Sequence, residues 1–406
     1  MEMQDLAKIP TVAKLKQMSQ DYYDSFQSAR ERGIPVAYVT AVYPVEILRA
    51  MDILPYYPEN YAVICAVRKM TEELSDAAEA KGYARDLCAY ARAGLGSVFY
   101  EKSNPLGGMP VPDFLFPCNT QCNTLTKWFE VTRKIFNIPL LLLDAPFVRG
   151  TSPYQHSLDY FVAQLKELVV FLQLKTGRRL DIDRLREVLR YSAEGCKLWN
   201  EVLDFAQYKP APWTAFDAYI HMAAIVTHRG TKACVEYYRE LKSFLEKRVS
   251  ENYACVPTEK YRFYWDNIPL WFRLRGQYDL LASYGIVLLA SLYIHSWAYN
   301  FDTQDPFRSL AENYLSVFCN TDIENRTSLI LGLINRYRLN GYIFLSNRSC
   351  KAASFGAYDI IHRLIQKTGK PGLVLEADMG DPRFFSQDEF KVKLEAYLEV
   401  LDSNPL

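Results

Sequence analysis

Residues 341–379 read GYIFLSNRSCKAASFGAYDIIHRLIQKTGKPGLVLEADM. The first run, GYIFLSN, is apolar through Leu345 and turns polar at Ser346, the pattern of a strand covered on both faces. A helical pattern, DIIHRLIQKTGKPG, follows and closes on glycine and proline. A second apolar run, GLVLEADM, comes directly after it. Strand, helix, strand in this order predicts a parallel α/β unit with a right-handed crossover. The one thiol of the unit, Cys350, falls just past the first strand and before a sequence able to start a helix.

Working outward, the same alternation recurs. Strand-length apolar runs are PVAYVTA (35–41), PDFLFP (112–117), IPLLLLDAPF (138–147), KYRFYWDNI (260–268) and GIVLLASLYI (285–294). Between the two groups, SLDYFVAQLKELVVFLQL sets Phe161, Leu165, Leu168, Val169 and Leu172 on one helical stripe, and DIDRLREVLRYSAEGCKLWNEVLDFA continues after an acidic first turn. The pattern predicts an α/β protein with two parallel-sheet halves: 1–154 carrying Cys88 and Cys122, a helical segment over 155–250, and 251–406 carrying Cys350. A chain of 406 residues is long enough for two or three packed units.

Lys plus Arg and Asp plus Glu stand at 47 each, so there is no basic field to gather phosphates, and nucleic acid is not expected as a partner. The start, MEMQDLAKIP, lacks the basic and apolar regions of a secretory signal, and the run IPLLLLDAPF is too short to span a bilayer. The expectation is a soluble cytoplasmic protein without a membrane partner. Nine cysteines, an odd number, suit free or metal-bound thiols in a reducing compartment.

Ligands of open parallel sheets gather beyond the carboxyl ends of the strands. Cys122, after PDFLFP, and Cys350, after GYIFLSN, occupy such places. Cys88 lies in GYARDLCAYARAGLGS between Arg85 and Arg92, where positive charge or a helix start eases thiolate formation. Taken singly, each reads first as a small buried residue. Cys118 and Cys122 form C-x3-C, a spacing open to zinc, but the five histidines supply no matching second pair. GLG at 94–96 lacks the third glycine of a dinucleotide loop, RGTK at 229–232 lacks the first glycine of a P-loop, and G-x-S-x-G is absent. A reaction that consumes ATP therefore implies that another chain binds it.

ARDLCAYARAGLGS (84–97), PDFLFPCNTQCNTLTKWFE (112–130), SNRSCK (346–351) and EADMGDPRFF (376–385), in this order, resemble the iron–sulfur subunits of the 2-hydroxyacyl-CoA dehydratase and benzoyl-CoA reductase family. Through RDLC, KWFE, TGRRLDIDRLRE and GDPRFF the likeness is nearer the B and O type subunits of benzoyl-CoA reductases. It runs from about residue 20 to the C-terminus.

The resemblance implies two flavodoxin-like (Rossmann-like) domains with a [4Fe-4S] cluster between them, held by Cys88, Cys122 and Cys350, with one iron left open. Cys122 is chosen over Cys118 because it directly precedes TLTKWFE. The implied activity is one-electron reduction of an aromatic acyl-CoA thioester. Its alternatives are radical removal of water from a 2-hydroxyacyl-CoA, and an electron-carrying or double-cluster protein without an acyl-CoA site. The implied partners are the acyl-CoA, a related second subunit or a second copy, and a separate ATP-hydrolysing iron–sulfur activator. Within AVYPVEILRAMDILPYYPENYA, Glu59 matches a glutamate near the open iron, with a solvated loop carboxylate as the plain alternative. Dehydratases tend to carry a serine before the Pro-x-Glu turn; here stand Ala41, Val42 and Tyr43, and Tyr43 is the candidate for its hydrogen bond. Asn347, Arg348 and Ser349 read as donors to the cluster or as an ordinary strand-end turn.

Overall fold

The structure is a computed structural model and describes residues 9–403; the segment MEMQDLAK and the last residues of the chain lie outside them. In the first half, β1 (Val36–Val39), β2 (Leu54–Tyr56) and β3 (Phe114–Phe116) form a parallel sheet in the order β2-β1-β3. In the second, β4 (Tyr261–Asp266), β5 (Ile286–Ala290), β6 (Gly341–Asn347) and β7 (Leu373–Ala377) form a parallel sheet in the order β5-β4-β6-β7. Every residue of β1, β3, β4 and β5 is buried, which is why these runs show no polar alternation.

Both sheets follow one plan: the second strand lies outside the first and the third lies on its other side. This is the doubly wound, flavodoxin-like order, whose chain reverses direction between first and third strands and leaves a crevice there. In the first half the crevice opens beyond β1 and β3, in the second beyond β4 and β6.

Two strands differ from expectation. The run IPLLLLDAPF does not form a continuous strand: Leu140 and Leu143 make isolated parallel bridges to Leu115 and Cys118. Pro117 has no N–H to give and Pro139 none to offer on the other side, so the ladder is cut to single bridges. The short β2 falls within a stretch that reads only as a strand-and-loop segment; its three residues, Leu54, Pro55 and Tyr56, are too few to show a strand period.

Residues 155–250 are helical, with long helices at Gln155–Thr176, Ile182–Leu203 and Lys232–Ser250 and no strand among the described residues. The expected stripe of the first is its buried face, through Phe161, Leu165, Leu168 and Leu172, and Asp181 caps the second by accepting from the N–H groups of Asp183 and Arg184. This segment is bonded to both halves. Arg178 donates to the carbonyls of Gly33 (2.9 Å) and Met51 (3.1 Å), while Trp199 Nε1 donates to the Ile294 carbonyl (2.9 Å).

A fully buried centre joins all three regions. Glu46 accepts from Arg229 Nε (3.1 Å), Ser192 Oγ (2.8 Å) and Tyr314 Oη (2.9 Å), and Arg229 also reaches the Tyr43 carbonyl (3.1 Å). The RGTK motif thus supplies a structural arginine, stacked among Trp297, Tyr299 and Tyr314. No helix among the described residues is long and apolar enough to cross a membrane.

Candidate functional site

Each of the three singled-out cysteines caps a helix. Cys88 precedes the helix Ala89–Phe99, Cys122 precedes Asn123–Phe136, and Cys350 precedes the single turn Lys351–Ser354. The first N–H groups of a helix have no partner within it and are free to face the capping atom. Those of Tyr90 and Ala91 act on the Cys88 sulfur, those of Thr124 and Leu125 on Cys122, and that of Ala353 on Cys350. Each favours a thiolate.

The three sulfurs line one cleft of about 630 Å³, whose wall takes in Ala41 and Val42 beyond β1, Gln121 beyond β3, and Asn267 and Ile268 beyond β4. The crevices of the two sheets therefore open into the same space. Burial works against the helix starts. Burial first, then the neighbouring Cys350 and Cys122, hold the Cys88 thiol well above its ordinary range; burial raises Cys122, and raises Cys350 to about 12. A metal cation binding such a thiol stabilises the thiolate that burial disfavours, and the proton is released to solvent.

Among the described residues, no three His, Cys, Asp or Glu side chains converge closely enough to hold one metal ion. A four-iron cluster makes a different demand, because each thiolate binds a separate iron and the thiolates stand apart around it. Thiols on three helix starts facing one cleft meet that demand. Asn347 Nδ2 is buried without a partner, but Asn347 is not among the residues that line the cleft.

Glu59 is not a loop carboxylate. Pro58 opens the helix Pro58–Val67, Glu59 follows in its first turn, and the side chain is only 8% exposed. One oxygen accepts from the Ala41 N–H (2.6 Å) and the other from Gln121 Nε2 (3.0 Å), while Gln121 Oε1 accepts from the Val42 N–H (3.0 Å). Burial outweighs both bonds and lifts the carboxyl to about 7, a value suited to moving protons near neutrality. It lines the cleft together with Cys88, Cys122 and Cys350.

The motifs that carried the resemblance meet across the two halves. The Ala89 N–H donates to Ser349 Oγ (3.1 Å), joining the Cys88 helix to the Cys350 turn. Arg92, 1% exposed, pairs with Asp381 (3.0 Å) of GDPRFF and with Glu79 (2.8 Å), and Arg383 bonds to Asp76 (2.7 Å) and Glu79 (2.8 Å). Trp271 Nε1 donates to Tyr90 Oη, and the Trp271 N–H to the Met379 carbonyl (3.0 Å). The glycines of ARAGLGS serve packing within a helix: a methyl at Gly94 would stand 2.2 Å from Trp128 of KWFE, and one at Gly96 would stand 1.8 Å from the Leu74 carbonyl oxygen.

Other expected site residues lie elsewhere. Tyr43 is fully buried, stacked on Phe116 at 6.2 Å, and does not line the cleft; its hydroxyl has no partner. Cys118 is fully buried beside the Thr40 hydroxyl, to which its N–H donates (3.1 Å), and it too is absent from the cleft wall. Arg348 is exposed and lies over Phe384 at 4.8 Å, with Arg85 at 5.1 Å from the same ring. The arginines beside Cys88 are thus committed to Phe384 and to the carboxylates, and helix N–H groups serve the thiol in their place.

Three participants escaped the sequence reading. Gln121 positions Glu59, Arg326 is a buried cation acting on Cys350, and Cys319 is a further thiol on the cleft wall. Gln121 was readable as the neighbour of Cys122. Cys319 was visible only as a cysteine in SVFCNTD, and Arg326 had no signal.

Fold and site together define a two-sheet α/β protein whose candidate catalytic space is a thiol-lined cleft between the sheets. The chain belongs to the 2-hydroxyglutaryl-CoA dehydratase D-component family, whose model matches residues 40–401. It is 33% identical to the (R)-2-hydroxyisocaproyl-CoA dehydratase alpha subunit of Clostridioides difficile, over 95% of this chain and 94% of the relative. It is 30% identical to the (R)-phenyllactyl-CoA dehydratase alpha subunit of Clostridium sporogenes, over 92% and 91%. The benzoyl-CoA reductase B-type polypeptide of Thauera aromatica is also 30% identical, over 98% and 96%. By name, these relatives are subunits of enzymes that act on acyl-CoA thioesters. The nearer likeness to reductase subunits expected from the motifs is not reproduced over the whole chain, where dehydratase and reductase relatives stand at similar identity.

Proposed function

We propose that this chain is the cluster-bearing catalytic subunit of a 2-hydroxyacyl-CoA dehydratase whose substrate carries an apolar acyl group. The observation that carries the reading is the meeting of Cys88, Cys122 and Cys350 with Glu59 around one cleft. A [4Fe-4S] cluster held by the three thiolates supplies one-electron transfer to the thioester, chemistry that side chains lack.

The remaining work falls to the chain's own residues. Glu59, with a carboxyl near neutrality, holds a proton for the departing hydroxyl group and can then take one from the substrate carbon. The Ala41 N–H and Gln121 fix its two oxygens, so the proton is held at a set place. Tyr90, Tyr219, Trp271, Tyr293 and Trp297 line the cleft and exclude water. Among the described residues the charged side chains of its wall are Glu59 and the exposed Lys16, so the wall itself offers no buried cation to a second carboxylate on the acyl group.

A second reading, ring reduction of an aromatic acyl-CoA, draws on Ala41 where the dehydratases lead one to expect serine, and on the benzoyl-CoA reductase relative. Both readings call for a related second subunit and an ATP-hydrolysing activator. The test is anaerobic turnover with both partners, ATP and a reductant. Water loss from an apolar 2-hydroxyacyl-CoA at catalytic ATP supports the dehydratase. Ring reduction with stoichiometric ATP use transfers the assignment to the reductase, and more than four irons per chain points instead to a double-cluster electron carrier.

A further inference from the structure

The helix that Cys88 opens, Ala89–Phe99, belongs to the first half of the chain, yet its first turn is held by the second. The Ala89 N–H has no partner within its own helix and donates to Ser349 Oγ (3.1 Å), so it is capped from the other half of the chain. Tyr90 Oη accepts from Trp271 Nε1. Arg92 Nη1 donates to Asp381 Oδ2 (3.0 Å), and Arg383 Nη2 holds the same oxygen (2.7 Å). The approach is so close that a methyl at Gly380 would stand 3.3 Å from the Ala89 Cβ.

These bonds reach the backbone on both sides of the thiol. Ahead of Cys88, the Leu87 carbonyl accepts from Arg92 Nε (3.0 Å), and Arg92 is fixed in turn by Asp381. Behind it, the Ala89 N–H is fixed by Ser349, the chain neighbour of Cys350. Ser349 and Asp381 are both buried. The Cys350 turn is fastened within the second half: the Asn347 N–H donates to Ser354 Oγ (2.9 Å), and Asn267 Nδ2 donates to Ser354 Oγ (3.0 Å) and to the Leu345 carbonyl (3.0 Å). Cys122 is placed differently, beside Gln121, whose side chain bonds to Glu59 and Val42 of its own half.

We propose that Ser349 and Asp381 are positioning residues for Cys88, holding that thiol to the Cys350 turn from the opposite half of the chain. The proposal rests on the cluster assignment above. Each acts through another group: Ser349 through the Ala89 N–H, Asp381 through Arg92 and the Leu87 carbonyl. None of these bonds involves a metal. Cys88 and Cys350 therefore stand as a fixed pair before iron arrives, and less ordering is left for the metal to impose.

The test begins with the metal-free full chain, alkylated anaerobically by iodoacetamide and mapped by mass spectrometry, in Ser349→Ala and Asp381→Asn beside the wild type. Loss of one hydrogen bond is expected to speed Cys88 labelling about fivefold in Ser349→Ala, and loss of the charged partner about tenfold in Asp381→Asn. Cys122 labelling stays at the wild-type rate in both, whereas a general loosening of the fold would raise Cys88 and Cys122 alike. After anaerobic reconstitution, both variants give up iron to a chelator faster than the wild type by similar factors. If Asp381→Asn does not fold, Ser349→Ala decides. Cys88 labelling that is unchanged, or raised together with Cys122, overturns the proposal, and so does iron release at the wild-type rate. A wild-type chain that holds no four-iron cluster overturns the cluster assignment instead, and the metal-free labelling still decides what Ser349 and Asp381 do for Cys88.

Discussion

Burial governs Glu59 more strongly than its hydrogen bonds do, and the result can be read in solution. Its folded value of about 7 lies above the ordinary 4.5, so the folded chain binds more protons than the unfolded one between these values. Stability contributed by this group is present below pH 4.5 and is lost as pH rises through 7, by roughly 3 kcal/mol at about 1.4 kcal/mol per unit. Thermal unfolding of the metal-free chain between pH 5 and 8 should show this slope, and Glu59→Gln should flatten it. The thiols sort in the same way by position. Replacement of Cys88, Cys122 or Cys350 by alanine is expected to abolish bound iron after anaerobic reconstitution, whereas Cys118→Ala, at a buried position off the cleft, is expected to retain it. Iron analysis of the four variants checks both statements, and iron loss from Cys118→Ala would reverse the choice between the two cysteines of C-x3-C.

At the scale of elements, the cysteines depend on how closely the helix Ala89–Phe99 can approach its neighbours. Gly96 lies against the Leu74 backbone, which cannot move aside as a side chain can. Gly96→Ala is therefore expected to destabilise the fold by about 3 kcal/mol or more and to displace Cys88 with its helix. A lower melting temperature together with weakened iron retention is the expected pair of results; unchanged melting would contradict the packing. Strands β1, β3, β4, β5, β6 and β7 were legible because continuous apolar runs ended by Pro, Gly or polar residues leave few alternatives. The short β2 was not, since three residues with a central proline depend on the neighbouring strand for their conformation. GLG likewise looked like a failed loop motif and is a helix interior, because a glycine placed for a close approach leaves the same mark in sequence as one placed for a turn.

Across the whole molecule, Glu46 and Arg229 tie the first half to the helical segment, and Tyr314 brings in the second half. Arg229→Met leaves the Glu46 carboxylate buried without its cation, at a cost of about 3–5 kcal/mol. We propose that 1–154, 155–250 and 251–406 unfold as one body; calorimetry should show a single transition that this substitution shifts downward, and two separated transitions would contradict it. By itself the sequence determined the α/β class and the helical middle segment, because apolar period and helix starts are written over a few neighbouring residues, while the three cysteines came together as a candidate set only through the resemblance to a family. Only the tertiary structure decided what those cysteines share. It joined the crevices of two sheets from opposite halves of the chain into one cleft, buried Glu59 against Ala41 and Gln121, withdrew Tyr43 and Cys118, and added Cys319 and Arg326. Burial and long-range proximity arise from packing of the whole chain, and no local pattern of residues encodes them.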